Sequence, residues 1–177
     1  MVNEEQQHVL YIIACAAGAA VQLYDHIPLL QADGWQVCVI LTPSATGFVE
    51  NERLTQLTGH PVRSSYKRPG DPDVLPPADA LLVFPATFNT INKWALGISD
   101  NLALGLLCEF TGMKVPILAV PVVRKGKLAE HPAFGRSLKL LEEYGVHIFY
   151  HPELYPPRNE VPGGMLVSEV RKLKGDM

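Results

Sequence analysis

The chain has 177 residues, 47% of them hydrophobic and 19% charged, with a formal net charge of −3. That length and apolar content suit one ordinary domain with a full core. The mild negative charge and the lack of any Lys/Arg block argue against a nucleic-acid or anionic-membrane surface, and no apolar run reaches membrane-spanning length. Cys15, Cys38 and Cys108 stand singly within apolar runs, as core thiols do in a reducing compartment. The opening residues 1–7 are polar and acidic, unlike a secretory signal. A soluble cytoplasmic protein is the expectation.

An apolar run over residues 9–17 predicts a buried strand, and helical periodicity follows to about residue 31, closed by Gly34. Gln36–Leu41 reads as a second strand ended by Thr42-Pro43-Ser44, and Ser44 or Thr46 is placed to cap a helix running to about Thr58. Residues 60–66 form a weak third strand. Residues 67–77 carry four prolines, a glycine and two aspartates, which makes them a loop. A strand over residues 80–84 leads into a long helix reaching about Phe110. Residues 115–123 are a further apolar strand, 134–144 an amphipathic helix and 146–150 a last strand. A Pro/Gly-rich stretch, 152–164, precedes a short C-terminal helix. Strands that alternate with helices and are apolar on both faces predict an α/β fold. Its core would be a single doubly wound, Rossmann-like parallel sheet with helices on both faces, and the whole chain one domain.

In such sheets ligands sit outside the carboxyl ends of the strands. The first of these turns is Cys15-Ala16-Ala17-Gly18-Ala19-Ala20. Side chains this small let a phosphate approach the backbone amides of Ala16, Ala17 and Gly18 at the helix start; close helix–strand packing explains them equally well. The GxGxxG of dinucleotide folds is missing. The second turn offers the hydroxyls of Thr42, Ser44 and Thr46, where NAD-binding folds commonly place a ribose-gripping carboxylate. Hydroxyls suit a terminal phosphate or a ribityl chain, so NAD or a nucleotide sugar is a weak alternative. No His/Cys/Asp grouping has metal-ligand spacing, so no metal is expected. Neither a Gly-x-Ser-x-Gly elbow nor a Walker loop is present.

The third turn is the most informative. Leu81-Leu82-Val83-Phe84 runs into Pro85-Ala86-Thr87-Phe88-Asn89-Thr90-Ile91-Asn92-Lys93, and Gly97-Ile98-Ser99-Asp100-Asn101-Leu102 follows. This stretch resembles the flavin motif of the homo-oligomeric flavin-containing cysteine decarboxylases, which include phosphopantothenoylcysteine decarboxylases and the lantibiotic cysteine decarboxylases. The resemblance implies FMN as cofactor, contacted by Pro85, Ala86, Thr87, Asn89 and Thr90. It also implies a phosphate contact at Ser44 near Thr42, with Phe48 near the ring system. It further implies a trimer, or a multiple of trimers, with the flavin at the subunit interface near Asp100 and Asn101. Thr87-Phe88 replaces the usual Ser-Ala, so Phe88 reshapes the pocket. Trp94, Ile98, Leu102, Leu106 and Phe110 make one apolar stripe; Leu96, Ala103, Leu104 and Leu107 widen it. One stripe is enough for a surface helix, so a second subunit is expected over the other face; a central helix packed within one chain is the alternative.

The family's catalytic positions are altered. Counting back from the motif places its essential His near Asp71, inside the proline-rich loop. Where the family has Pro-x-Met-Asn-x-x-Met-Trp, this chain reads Pro121-Val122-Val123-Arg124-Lys125-Gly126-Lys127-Leu128, with Arg124 in place of the Asn. The family's C-terminal lid with its reactive Cys is also missing; residues 159–165 supply glycines but no thiol. Candidates for chemistry are Asp71 as a base, Arg124 as a carboxylate holder and His131 as a replacement acid or base. The expectation is an FMN-binding flavoprotein acting as an oxidoreductase or decarboxylase-like enzyme on a small carboxylate-bearing substrate. The alternative is an FMN-holding or regulatory protein without turnover.

Overall fold

A computed structural model describes residues 7–154 and 160–177. Most of the acidic N-terminal stretch and residues 155–159 of the Pro/Gly-rich stretch, Asn159 included, lie outside the described residues. Five parallel strands form one sheet in the order β2-β1-β3-β4-β5: β1 Val9–Ala14, β2 Gln36–Leu41, β3 Ala80–Ala86, β4 Ile117–Pro121 and β5 His147–Ile148. Every residue of β1, β3 and β4 is buried, because helices cover both faces. Alternate residues serve opposite cores. Leu10, Ile12 and Ala14 of β1 meet α1 (Leu23–Ala32), α2 (Asn51–Thr58) and α6 (Gly163–Lys172). Val9, Tyr11 and Ile13 meet α3 (Phe88–Ala95), α4 (Leu102–Gly112) and α5 (Pro132–Glu143). Buried on both faces, such strands read as unbroken apolar runs, which is why the doubly wound sheet was legible.

Several expectations need correction. The long helix is two helices. Gly97 takes a left-handed φ of 70°, and Asn101 caps α4 by accepting from Leu104 N at 3.0 Å. The single stripe therefore breaks: Trp94 and Leu102 are buried, while Ile98 lies in the exposed link between α3 and α4. The link doubles back along α3, held by the Lys93–Asp100 ion pair and by Ile98 N donating to Lys93 O at 2.9 Å. Leu102, Ala103, Leu104 and Leu107 are covered within the chain, as in the single-chain alternative.

The weak strand at 60–66 shrinks to a single parallel bridge, Arg63 against Ile40 on the outer edge of β2. Pro61 has no N–H to extend the ladder. Tyr66 turns away to lie against Gly105, its hydroxyl 3.3 Å from Asn101 O. Neither Ser44 nor Thr46 caps a helix: Pro43–Gly47 is a 3-10 turn, and Thr46 Oγ1 donates to Pro43 O at 2.8 Å. The first helix likewise opens as a 3-10 turn, Gly18–Gln22.

The glycines at 163 and 164 do not make a loose lid. They open α6, which is docked on α1: His26 Nε2 donates to Val161 O at 3.0 Å, and Gln22 brackets Val161 through both its N–H and its C=O. A Cβ on Gly163 would stand 2.5 Å from Leu29 Cδ1, so glycine permits the close approach. No helix among the described residues is long and apolar enough to cross a membrane.

Candidate functional site

The chain lays β1 and then β2 outward in one direction, returns past β1 to lay β3, and continues to β4. Strand order reverses between β1 and β3, which is where doubly wound sheets open a ligand crevice at their carboxyl ends. A cavity of about 740 Å3 lies there, within the usual range for small-molecule and cofactor sites. Each central strand contributes a turn: Ala16 after β1, Thr42, Pro43 and Ser44 after β2, Thr87–Thr90 after β3, and Val122, Val123, Arg124, Lys127 and Leu128 after β4. Lys93, Asp100 and Asn101 close the side formed by α3 and its link. A larger groove of about 1100 Å3 lies at the opposite end of the sheet. It is set by the ends of α3, α4 and α5, away from the carboxyl-end turns, and the smaller cavity is the chemically equipped one.

Local sequence explains these placements. Thr42 N donates to Ala14 O at 2.9 Å, so the chain leaves β2 beside the end of β1. Thr87 is extended and caps α3, accepting from Thr90 N at 3.5 Å, and the two hydroxyls lie 3.3 Å apart. Beneath them Cys15 is fully buried; burial pushes its thiol up and the Thr90 and Thr87 groups oppose this. The result is a protonated thiol behind the wall. Asn92 donates to Phe88 O at 2.9 Å and accepts from Ser137 Oγ at 2.7 Å, fixing α3 against α5. Phe88 lines the cavity, stacks on Phe134 at 6.1 Å and meets the His131 edge at 5.6 Å.

The cavity gathers many of the residues singled out from sequence: Ala16, Thr42, Ser44, Thr87, Asn89, Thr90, Asp100, Asn101 and Arg124. Others stand apart. Ala17 and Gly18 open the 3-10 turn just beyond Ala16, and outside that turn no atom of the described residues lies within 4 Å of a Gly18 Cβ position. Pro85 and Ala86 are buried in β3 as supports. Phe48 is 44% exposed and outside the lining.

His131 is the N-cap of α5; its Nδ1 accepts from Ala133 N at 3.1 Å, and the residue is not part of the cavity wall. Asp71 is not part of it either. Its carboxylate accepts from Arg68 N at 2.9 Å, closing a turn whose Gly70 has φ 91°. Lys93, Leu128 and the Val122-Val123 pair were not anticipated as lining. Lys93 stood in the motif itself; Lys127 belongs to Arg124-Lys125-x-Lys127, a short basic cluster that the sequence sets on a loop facing the ligand edge, either as a solvated loop or as an acidic-substrate site, and it does line the cavity.

The donor set fits a phosphorylated cofactor. Small and hydroxyl-bearing residues line the cavity over β1, β2 and β3, and among the described residues the one carboxylate in the wall, Asp100, is already paired with Lys93. Such a wall accepts an anionic phosphate without repulsion. Fold and site together define a doubly wound domain with a cavity at the carboxyl ends of its sheet whose lining suits a phosphorylated cofactor. The flavoprotein family profile matches residues 2–169, and the chain belongs to that family; a flavin is the class of cofactor.

Among relatives, a probable phosphopantothenoylcysteine decarboxylase of Streptococcus mutans is 29% identical over 118 residues, covering 63% of this chain and 65% of the relative. A cysteine/cysteine sulfinic acid decarboxylase of an unknown prokaryotic organism is 36% identical over 88 residues, covering 50% of this chain and 22% of the relative. The chain thus spans less than two thirds of the length of either curated relative. Among solved structures, the FMN-dependent cysteine decarboxylase TvaF from thioviridamide biosynthesis superposes with a TM-score of 0.68. It is 25% identical, and the match covers 81% of this chain and 90% of that one.

Proposed function

We propose that the protein binds FMN in the 740 Å3 cavity and acts as an oxidoreductase or decarboxylase-like enzyme on a small carboxylate-bearing substrate. The observation that carries this reading is the convergence of Thr42, Ser44, Thr87 and Thr90 hydroxyls with Ala16 on one wall, facing Arg124 across β3 and β4. Hydroxyls and the exposed amides of small-residue turns satisfy a terminal phosphate, and no carboxylate stands at the end of β2 to select a dinucleotide ribose. TvaF, similar in fold and 25% identical, is named as FMN-dependent. Bound flavin supplies two-electron redox chemistry.

The chain's own residues bind and orient. Arg124 presents a planar fork to a substrate carboxylate. Phe88, Val122, Val123 and Leu128 exclude water beside it. Asn101 and the Lys93–Asp100 pair fix the outer edge.

A second reading, an FMN-holding or regulatory protein without turnover, is favoured by one observation. Among the described residues, no free carboxylate, histidine or cysteine lines the cavity. The reading as an enzyme therefore draws on assembly. A homo-oligomer, trimer favoured, would let a neighbouring copy supply the acid or base that this lining lacks. The setting is a reducing, cytoplasmic one, in keeping with three unpaired cysteines.

The test is the visible spectrum of freshly purified protein, with mass spectrometry of what heat releases. A flavin spectrum and the mass of FMN are expected; a colourless protein that takes up no added FMN would overturn the reading. Incubation with cysteine-ended peptides then separates the two functions. Loss of carbon dioxide with flavin bleaching marks family chemistry, and persistent yellow colour with every thiol counts against it.

A further inference from the structure

Three cations line the cavity, and they are not equivalent. Lys93 is neutralised by Asp100. Arg124 and Lys127 are exposed and make no ion pair or side-chain hydrogen bond with any described residue. Both stand on the loop after β4, three positions apart, with Gly126 between them at φ 77°. Beyond that left-handed residue, Glu130 is occupied in accepting from Gly126 N at 3.3 Å. The loop therefore brings to one wall two positive charges with no ion-pair partner among the described residues, while its own carboxylate, Glu130, is turned to Gly126 N and is not part of the lining.

These charges do not belong to the cofactor-phosphate wall. The hydroxyls and small residues stand over β2, β1 and β3, and the sheet order places β4 two strands from β1 and three from β2. Neighbouring strands lie about 4.8 Å apart, so roughly 10 Å separates β4 from β1 and roughly 14 Å from β2. A phosphate seated at Ala16 and Ser44 leaves Arg124 and Lys127 free for a second ligand. A single carboxylate is met by a bidentate arginine alone; a second free cation beside it calls for a second negative charge.

We propose that the substrate is a small dianion, a dicarboxylate or a phosphate monoester, held with one anionic oxygen pair on Arg124 and the second charge on Lys127. This deepens the flavin reading and rests on it for the position of the substrate beside the cofactor. Phe88, Val123 and Leu128, on the same side of the cavity, accommodate a short apolar body between the charges and the flavin. Arg124 is a binding residue in either case. Lys127 is what makes the site choose two charges over one.

Titration calorimetry at fixed ionic strength tests this on the purified protein as isolated, with succinate, methyl phosphate and butyrate as probes. Wild type is expected to bind succinate or methyl phosphate at least ten-fold more tightly than butyrate, and the preferred one names the source of the dianion. Lys127→Gln is expected to bring the dianion down to the butyrate level with butyrate binding unchanged, and Arg124→Gln to weaken all three. Equal binding of mono- and dianions, binding of none at millimolar concentrations, or an unchanged dianion preference in Lys127→Gln would each overturn the proposal. Flavin content, read from the same samples by absorbance, separates the outcomes. A colourless protein that still prefers dianions defeats the cofactor reading alone, and a yellow protein without the preference defeats this one alone. Both loop residues are exposed, and the melting temperature of each variant confirms folding.

Discussion

Thr87 works in two directions. Its hydroxyl caps α3 through Thr90 N, and the residue lines the cavity beside Thr90 and Asn89. Replacing an N-cap threonine by alanine costs about 1 kcal/mol of stability, and Thr87→Ala is expected to show that loss in chemical denaturation. Because Thr87 also lines the cavity, flavin affinity is expected to fall about ten-fold, corresponding to one hydrogen bond of roughly 1.4 kcal/mol. Fluorescence titration of the flavin-free protein measures it. A variant that loses stability yet binds flavin unchanged would confine Thr87 to capping. Asp71 teaches the opposite lesson about single residues. Counting back from a motif across a loop with four prolines assumes that spacing is position. Here Gly70 reverses the chain and Asp71 closes its own turn.

At the scale of elements, two features decide what the sheet's ends can do. The link between α3 and α4 depends on Gly97, whose left-handed φ disfavours any side chain. Gly97→Ala is expected to cost about 1–2 kcal/mol and, by shifting Asp100 and Asn101, to weaken flavin retention. Thermal melts with and without flavin read both effects. The docking of α6 on α1 depends on His26, buried against Phe84 and hydrogen-bonded to Val161 O, with Nδ1 lacking a hydrogen-bond partner among the described residues.

Burial holds the His26 pKa below the ordinary 6.5, against the Val161 carbonyl and Asp25, which raise it. The unfolded chain therefore takes up a proton as pH falls through about 6.5 while the folded one does not. Stability is full above that pH and is lost below it, by at most about 1.4 kcal/mol per pH unit until the folded-state value is reached. His26→Gln keeps a donor for Val161 and should flatten that slope in denaturation curves between pH 7 and about 5; an unchanged slope would assign it to other groups.

Elements were legible where burial left a periodic or continuous apolar trace, as in β1 to β4. The break after Ala95 was also written in the sequence, as a glycine followed by Ser99-Asp100-Asn101, a helix stop and a helix cap. Apolar residues on both sides of it simulated one continuous stripe. The bridge at Arg63 had no comparable trace, because a single pair of hydrogen bonds imposes no pattern.

At the scale of the whole molecule, exposed apolar surface is found at the far end of the sheet. Leu96 and Met113 are 71% and 62% exposed, at either end of the helix pair α3–α4, and Leu96 lines the 1100 Å3 groove with Trp94 and Tyr144. Light scattering is expected to give a trimer or a multiple of it, and Leu96→Asp with Met113→Asp to lower that mass. A monomeric wild type would remove assembly from the account and favour the reading without turnover. The site's hydroxyl wall was legible because it sits in consecutive turns; Leu128 and the Val122-Val123 pair as lining were not, since only folding aligns the loop after β4 with the turns of strands laid down much earlier.

The strand order also dictates when the protein can come into being. β1 is flanked by a strand that begins at Gln36 and another that begins at Ala80, and every pairing in the sheet is parallel and non-local. A nascent chain leaving the ribosome can pair β1 with β2 early, but the inner edge of β1 stays bare until nearly half the polypeptide has been made. During that interval Leu10, Ile12 and their neighbours are an unsatisfied template for other strands. The window between synthesis of Leu41 and Ala86 is thus when this chain is most exposed to aggregation, and most in need of a chaperone's attention.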